Sequence, residues 1–196
     1  MKSAAFRLNI SGRAQSSSNG KSRLEYKNLL SCKNEPAIEL QLGICVLLGI
    51  NHIKRLPEFI IYHNRVGVER FFVYFHGTKT DLHKNWRYFK PFAQKGLVDI
   101  IPYYFKTKDY KDGIQLGAYN DCLHKAKGRA KWLGILDVDE FFQIQPDSRF
   151  HSLVDLINSH EEYTSLSFQT FFYAYKGDAK NYVENCEYPS FINDWT

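Results

Sequence analysis

The stretch "WLGILDVDEFF" (132–142) joins an apolar run to a cluster of acids. The run is typical of a buried strand. It ends in Asp137, Asp139 and Glu140, and Phe141 and Phe142 follow at once. Carboxylates this close repel one another unless a cation or a shared proton relieves the repulsion. The acids therefore either lie in water at a strand end or hold a positively charged group.

Apolar runs that are typical of buried strands alternate with helical patterns along the chain. The predicted strands are 43–50, 69–76, 97–104, 131–139 and a half-exposed fifth at 163–175. The predicted helices are 55–67, 80–96, 112–128 and 149–161. Continuous apolar strands alternating with helices indicate an α/β fold, with a mostly parallel sheet flanked by helices on both faces.

In open sheets of this kind, ligands bind outside the carboxyl ends of the strands. Asn51, His76, Tyr103 and the acids of 137–140 fall at such ends. If the fourth strand continues through the acids, Asp137 and Asp139 point to the same side, because side chains alternate with a period of two. Two carboxylates on one side suit Mn²⁺ or Mg²⁺, which could neutralise a departing diphosphate. The alternative is a solvated strand end or a helix-cap cluster.

Phosphatases with an aspartate nucleophile also use an Asp-x-Asp motif. They place it after their first strand and have a small hydroxyl residue or Val at the fifth position. Here the motif follows the fourth predicted strand, and the fifth position is Phe141. A metal-dependent phosphohydrolase is therefore an alternative that the sequence supports less well.

The net charge of +5 is carried by the N-terminal segment. Residues 1–33 contain seven of the 26 basic residues and one of the 21 acids, so the rest of the chain is close to neutral. A neutral body argues against nucleic-acid binding. Residues 1–30, rich in Ser, Gly and basic residues, are predicted to form a flexible tail. The predicted domain then covers 42–196.

The four cysteines are Cys32, Cys45, Cys122 and Cys186, and no pair has C-x-x-C spacing. We therefore expect no zinc site or redox pair, and Cys45 and Cys122 are predicted to be buried free thiols. No run approaches the ~18 apolar residues that a membrane span requires. The N-terminus lacks the apolar core of a signal peptide. The chain is predicted to be soluble, and cytoplasmic, or in the Golgi lumen if a longer parent protein carries an anchor.

Two segments, "INHIKRLPEFIIYHNRVGVERFFVYFH" (50–76) and "GIQLGAYNDCLHKAKGRAKWLGILDVDEFF" (113–142), together carry a recognisable set of motifs. The set consists of Asn51, Glu58–Phe59, Tyr62–His63, Gly67–Val68, Phe71–Phe72, Gln115, Ala118–Asn120, Cys122–Leu123, Trp132 and the acids with Phe141. It resembles glycosyltransferases of the GT-A type, most closely the family 92-like group, which is related to family 2. The resemblance covers about residues 42 to 175.

The resemblance implies a GT-A fold and transfer of a hexose from a UDP-sugar to a glycan hydroxyl, with Mn²⁺ or Mg²⁺ on the diphosphate. It implies that Asp137 and Asp139 form the metal motif. Asp137 would face the ribose or a metal-bound water, and Glu140 would lie near the sugar or support the turn. The implied nucleotide-sugar contacts are Asn51, His76, Gln115, Tyr119, Asp137 and Glu140. Gln115 and Tyr119 lie one helical turn apart and share a face, for which core packing is the alternative role.

Departures from the family pattern leave the mechanism open. His52 stands where the family tends to have Glu, and His76 stands where Asp-Asn is common. The chain ends about 55 residues after the acids, so it looks short at the C-terminus, and we expect weak transfer or none. Inverting transfer needs a base within hydrogen-bond reach of the acceptor. The candidate bases are Asp178, Glu184, Glu187 and Asp194. A non-catalytic nucleotide-sugar or carbohydrate-binding remnant of the fold is the further alternative.

Overall fold

A computed structural model describes residues 4–9, 39–104, 113–144 and 148–172. The strands in these residues are β1 (Ala4–Asn9), β2 (Leu40–Gly49), β3 (Arg70–His76), β4 (Val98–Pro102), β5 (Ala130–Ile135) and β6 (Ser167–Phe172). The α-helices are α1 (Leu56–Arg65), α2 (Lys79–Lys84), α3 (Lys90–Gln94), α4 (Ile114–Ala126) and α5 (Leu153–Asn158). Two 3₁₀-helices, Ile50–Arg55 and Trp86–Tyr88, lie between them.

Four strands form a parallel sheet in the order β4-β3-β2-β5. In this register Gly49, at the end of β2, lies opposite His76, at the end of β3. Cys45 of β2 lies opposite Ile135, the last residue of β5. Because the strands are parallel, their carboxyl ends meet at one edge of the sheet. The predicted α/β fold is confirmed, and the described part of it is consistent with a GT-A-like domain.

Side chains of the two central strands alternate between two apolar layers, as the period of two requires. One layer joins β2 and β3 to helices α1 and α3 and to the start of α5; its fully buried members include Ile44, Val46, Leu48, Phe59, Phe71, Phe75 and Phe89. The other layer joins the opposite face to α4; it includes Cys45, Phe72, Tyr74, Ala118 and Cys122. Helices thus cover both faces, which is why the middle residues of β2 and β3 are almost all apolar and buried.

The helix boundaries follow local chemistry. Pro57 lies in the first turn of α1, where its missing N–H leaves no intrahelical bond unmade. Gly67 adopts a φ of 107° just after that helix, a conformation that suits glycine. The helix predicted at 80–96 is broken into α2, a 3₁₀ turn and α3, with Pro91 in the first turn of α3. No helix among the described residues is both long and apolar enough to cross a membrane.

A disulfide links the central strand to helix α4. Cys45 and Cys122 are bonded, with their Cα atoms 6.2 Å apart, and both are fully buried. The prediction of free thiols was therefore wrong for this pair. The two cysteines are 77 residues apart in sequence, so only the packing of α4 on β2 brings them together. Cys32 and Cys186 lie outside the described residues.

A second sheet pairs β1 with β6 in antiparallel register, from Ala4 opposite Phe172 to Asn9 opposite Ser167. The fifth predicted strand is thus present, but in a sheet separate from the parallel one. β1 lies within the predicted flexible tail of residues 1–30, and the mobility of that tail stays a prediction. Residues 10–38 lie outside the described part of the chain, so the domain boundary stays a prediction.

We expect the Cys45–Cys122 bond to be detected by peptide mapping under non-reducing conditions. Its removal in a Cys45→Ala/Cys122→Ala variant should lower the free energy of unfolding by about 2–4 kcal/mol, because the bond closes a long loop in the unfolded chain. Urea unfolding with and without a reductant checks this. The reductant should destabilise the wild type and leave the variant unchanged. Alkylation of both thiols in unreduced native protein would contradict the assignment.

Candidate active site

Residues 137–140, which contain the three acids, form a turn after the end of β5; we call it the acid turn. The strand ends at Ile135, so the period-two argument for Asp137 and Asp139 does not apply. The Glu140 N–H donates to the Asp137 carbonyl at 3.0 Å, and the Asp137 N–H donates to the Glu140 carboxylate at 2.9 Å. Val138, between the two aspartates, is 5% exposed and packs in the core. The turn directs Asp137 and Asp139 to different partners.

Asp137 is held by helix α4. The Gln115 side-chain amide and the Tyr119 hydroxyl each donate to the same Asp137 carboxylate oxygen at 3.2 Å. The Gln115 amide also donates to the Tyr119 hydroxyl at 3.1 Å. Burial raises the pKa of Tyr119 to about 12; its hydrogen bond from Gln115 opposes this rise, and the nearby Asp137 adds to it. Tyr119 therefore keeps its proton at neutral pH and serves as a donor.

Asp139 is paired with a cation that the sequence analysis did not single out. The Arg55 guanidinium lies 3.1 Å from the Asp139 carboxylate. Arg55 ends the 3₁₀-helix that follows β2, so it comes from the neighbouring strand's carboxyl end. The two residues are 84 positions apart in sequence. The available signal was a basic residue just beyond an adjacent strand, and its pairing with Asp139 depends on tertiary structure.

Glu140 completes the cluster in a partly buried position. Burial raises the pKa of its carboxyl group. The hydrogen bond from the Asp137 backbone opposes this rise, and the charges of Asp137 and Asp139 add to it. Three carboxylates therefore coexist in one turn. Neutral groups donate hydrogen bonds to Asp137, the Arg55 cation pairs with Asp139, and the carboxyl group of Glu140 has a raised pKa.

The two phenylalanines after the acids anchor the turn on helix α1. The Phe142 carbonyl accepts a hydrogen bond from the Tyr62 hydroxyl at 2.5 Å, and the Phe142 N–H donates to His63 Nε2 at 3.4 Å. The His63 ring stacks on Phe141, with ring centroids 5.4 Å apart and planes 16° apart. Phe59 meets Phe141 edge-on, with centroids 6.0 Å apart. The aromatic pair thus fixes the downstream end of the acid turn.

His63 is neutral in this arrangement. Its Nδ1 lies 2.8 Å from the Phe59 carbonyl, which can only accept, so Nδ1 carries the hydrogen and Nε2 accepts from Phe142. The ring is fully buried. Burial lowers the pKa of His63 to about 4, and its hydrogen bond to Phe59 partly opposes this shift. Protonation would place a second hydrogen on Nε2 and remove the acceptor that holds Phe142.

The remaining described residues of the predicted site, Asn51 and His76, lie at the carboxyl ends of β2 and β3, at the same sheet edge as the acid turn. Asn51 is exposed in the 3₁₀-helix after β2. His76 ends β3, and its ring lies 5.9 Å from that of Tyr104. The nucleotide-contact roles of these residues, and of Gln115 and Tyr119, stay predictions. The candidate bases Asp178, Glu184, Glu187 and Asp194 lie outside the described residues.

The donor chemistry of the acid turn fits a hard divalent cation that takes part of its coordination from a ligand. Among the described residues, no three His, Cys, Asp or Glu side chains are grouped so that they could hold a metal ion by themselves. Mg²⁺ characteristically binds through one or two carboxylates together with substrate phosphates, and does not need a protein cage. Asp137 and Asp139 are two carboxylates of this kind, and Asp139 is paired with Arg55 in this structure.

The sequence pattern of glycosyltransferase family 92 matches residues 41–190. The match spans both the carboxyl-edge acids and the helices that hold them. The chain belongs to glycosyltransferase family 92. This confirms the resemblance drawn from the motifs around Tyr62–His63, Gln115–Tyr119 and Asp137–Phe141.

Curated relatives of this family 92 chain are plant proteins. A galactan β-1,4-galactosyltransferase of Arabidopsis thaliana is 28% identical over 114 residues, which cover 57% of this chain and 22% of that protein. A glycosyltransferase family 92 protein of Ricinus communis is 28% identical over 104 residues, or 53% of this chain and 17% of that protein. The matched region thus spans about a fifth of the length of these relatives. No solved structure matches the chain.

We expect the free energy of unfolding to decrease as the pH is lowered, because His63 is buried and neutral in the folded protein. Because the folded-state pKa lies below the ordinary value of 6.5, the unfolded chain binds the proton more readily. The stabilisation is complete above about pH 6.5 and is lost as the pH falls towards 4. Between pH 7 and pH 5 the wild type should lose about 2 kcal/mol more than a His63→Gln variant.

Urea unfolding at the two pH values checks the His63 prediction. A His151→Gln variant is the matched control, because His151 is exposed and its removal should leave the wild-type pH dependence unchanged. Equal pH dependence in the wild type and in the His63→Gln variant would contradict the neutral, buried role.

Proposed function

We propose that this family 92 chain binds a UDP-sugar at the acid turn, with Mn²⁺ or Mg²⁺, and transfers its hexose to a glycan hydroxyl. The observation that carries the proposal is the family match over 41–190, with the acids at the carboxyl edge of a parallel sheet. Ligands of open α/β sheets bind at this edge. The cation, when bound, would neutralise the charge that develops on the departing diphosphate.

Asp139 and Asp137 are the carboxylates that would hold the cation. Asp139 is a third exposed, so an ion and its phosphate ligands could reach it from solvent. Asp137 is oriented by Gln115 and Tyr119, both of them neutral donors. Neutral donors fix a carboxylate without cancelling its charge, which keeps that charge available to a cation. The hydroxyl of Tyr119 is protonated at neutral pH, so it donates to Asp137.

The relatives suggest which sugar to test first. One curated relative is a galactan β-1,4-galactosyltransferase, and a second relative with the same activity in its name is 26% identical over 114 residues. We therefore propose a galactosyl donor and a galactose-containing glycan acceptor as the first pair. The base that would accept the proton of the acceptor hydroxyl is proposed to be one of Asp178, Glu184, Glu187 and Asp194.

Binding without transfer is the second candidate function. It would use the same acid turn and would hold a nucleotide sugar or a carbohydrate without turnover. The metal-dependent phosphohydrolase gains no support from the family match. Release of UDP that depends on an acceptor distinguishes transfer from binding, and release of inorganic phosphate would indicate hydrolysis.

The disulfide supports a proposal about the compartment. Disulfides form and persist in oxidising environments such as the secretory pathway and are rare in the cytosol. Cys45 and Cys122 form such a bond inside the domain. We therefore favour the Golgi lumen over the cytoplasm as the working compartment.

Replacement of Asp139 should abolish cation-dependent binding of UDP. In an Asp139→Asn variant, which removes the charge and keeps the shape, we expect the affinity for UDP in the presence of Mn²⁺ to fall by more than about tenfold. Titration calorimetry with and without Mn²⁺ measures this. An Asp155→Asn variant is the matched control, because Asp155 is an exposed aspartate in the first turn of α5, away from the acid turn.

The same proteins then decide between transfer and binding. UDP release from UDP-galactose and UDP-glucose is measured with and without a galactan oligosaccharide. Acceptor-dependent release that is lost in the Asp139→Asn variant supports transfer, and binding without release supports the second candidate. An unchanged UDP affinity in that variant, with and without Mn²⁺, would mean that the acids are only a solvated turn.

A further inference from the structure

Arg55 places a positive charge beside Asp139. Its guanidinium lies 3.1 Å from the Asp139 carboxylate, and the side chains are 43% and 34% exposed. It is contributed by the segment after β2, while Asp139 follows the neighbouring strand β5. Arg55 is thus a positive charge built into the cluster, where three carboxylates would otherwise repel one another.

The charge of Arg55 also acts on a second acid, Glu58 of helix α1. Burial raises the pKa of Glu58, in the first turn of α1, and the charge of Arg55 opposes this rise. The guanidinium therefore lies within electrostatic reach of carboxylates from two elements, the acid turn and α1.

If a guanidinium and a divalent cation both bound Asp139, the repulsion between them would raise the free energy of the complex. They compete for the carboxylate, and two positive charges at such short range repel each other. A diphosphate changes this balance, because it attracts both, and Arg forms hydrogen-bonded pairs with phosphate oxygens readily. The same residue would thus oppose the metal alone and favour the metal together with a nucleotide.

We propose that Arg55 is a diphosphate-binding residue that Asp139 holds until the nucleotide arrives. The inference rests on the proposed function and adds a role for a residue outside the Asp-x-Asp motif. In this arrangement Arg55 makes the binding of the divalent cation and that of the nucleoside diphosphate depend on each other. Such coupling is reciprocal, so each ligand tightens the other by the same factor.

Removal of Arg55 should have two measurable effects, one on the affinity for Mn²⁺ alone and one on the affinity for UDP. An Arg55→Gln variant should bind Mn²⁺ alone about threefold to tenfold more tightly than the wild type, since the competing charge is gone. With saturating Mn²⁺, the same variant should bind UDP more weakly by at least about threefold, since a phosphate partner is gone. An Arg55→Lys variant should lie between the two, because it keeps the charge and loses the planar fork.

The experiment is a Mn²⁺ titration followed by electron paramagnetic resonance, in which the signal of free Mn²⁺ falls as the ion binds. It is run on the folded full chain, with and without saturating UDP, at one ionic strength. The matched control is Arg129→Gln. Arg129 is a similarly exposed arginine, which lies 3.7 Å from Glu39 and 3.7 Å from Asp99 at the amino end of the sheet. This control should bind Mn²⁺ and UDP as the wild type does.

The outcomes separate the inference from the function on which it rests. If the wild type binds UDP with Mn²⁺, and the Arg55→Gln variant binds Mn²⁺ alone no more tightly, the inference is wrong and the proposed function stands. The same holds if UDP tightens Mn²⁺ by the same factor in both proteins. If the wild type binds neither ligand, the proposed function and the inference are both overturned. Tighter Mn²⁺ with weaker UDP in the variant supports both.

Discussion

Three carboxylates in one short turn repel one another, and the neighbouring elements supply the groups that offset this repulsion. Each acid relieves it differently. Asp137 accepts hydrogen bonds from neutral groups of α4, and Asp139 pairs with Arg55. The third acid, Glu140, is partly buried and has a raised pKa. The turn is therefore held by α4 on one side and by the segment after β2 on the other. A charged cluster can persist here because these partners come from separate, well-packed elements.

Helix α4, which supplies the partners of Asp137, packs on a sheet that is buried on both faces. The disulfide joins β2 to α4 one helical turn beyond Tyr119, so the helix that orients Asp137 is fixed covalently to the central strand. On the opposite face, His63 and Phe141 stack between α1 and the acid turn. Both neighbours of the turn are thus anchored in apolar layers, while the carboxylates remain accessible. A site whose side chains are supported in this way can hold its groups in a fixed geometry.

Local sequence patterns predicted the parallel sheet well, but they could not predict which side chains from distant parts of the chain would pair. Continuous apolar strands identified β2, β3 and β5, and Pro57 with Gly67 marked the ends of α1. The extent of β5 was misjudged, because "LDVD" continues an alternating pattern although the chain turns at Asp137. The Cys45–Cys122 bond and the Arg55–Asp139 pair join positions 77 and 84 residues apart. No spacing rule connects such positions, so only the folded sheet reveals them.

The proposed function requires that the acid turn receives a divalent cation together with a nucleoside diphosphate. The decisive experiment is a crystal structure of the chain with Mn²⁺ and UDP. We expect the Asp139 carboxylate to hold Mn²⁺ beside the diphosphate. We also expect the Arg55 guanidinium to have left Asp139 for a phosphate oxygen. Mn²⁺ and UDP bound elsewhere, with the Arg55–Asp139 pair intact, would contradict it.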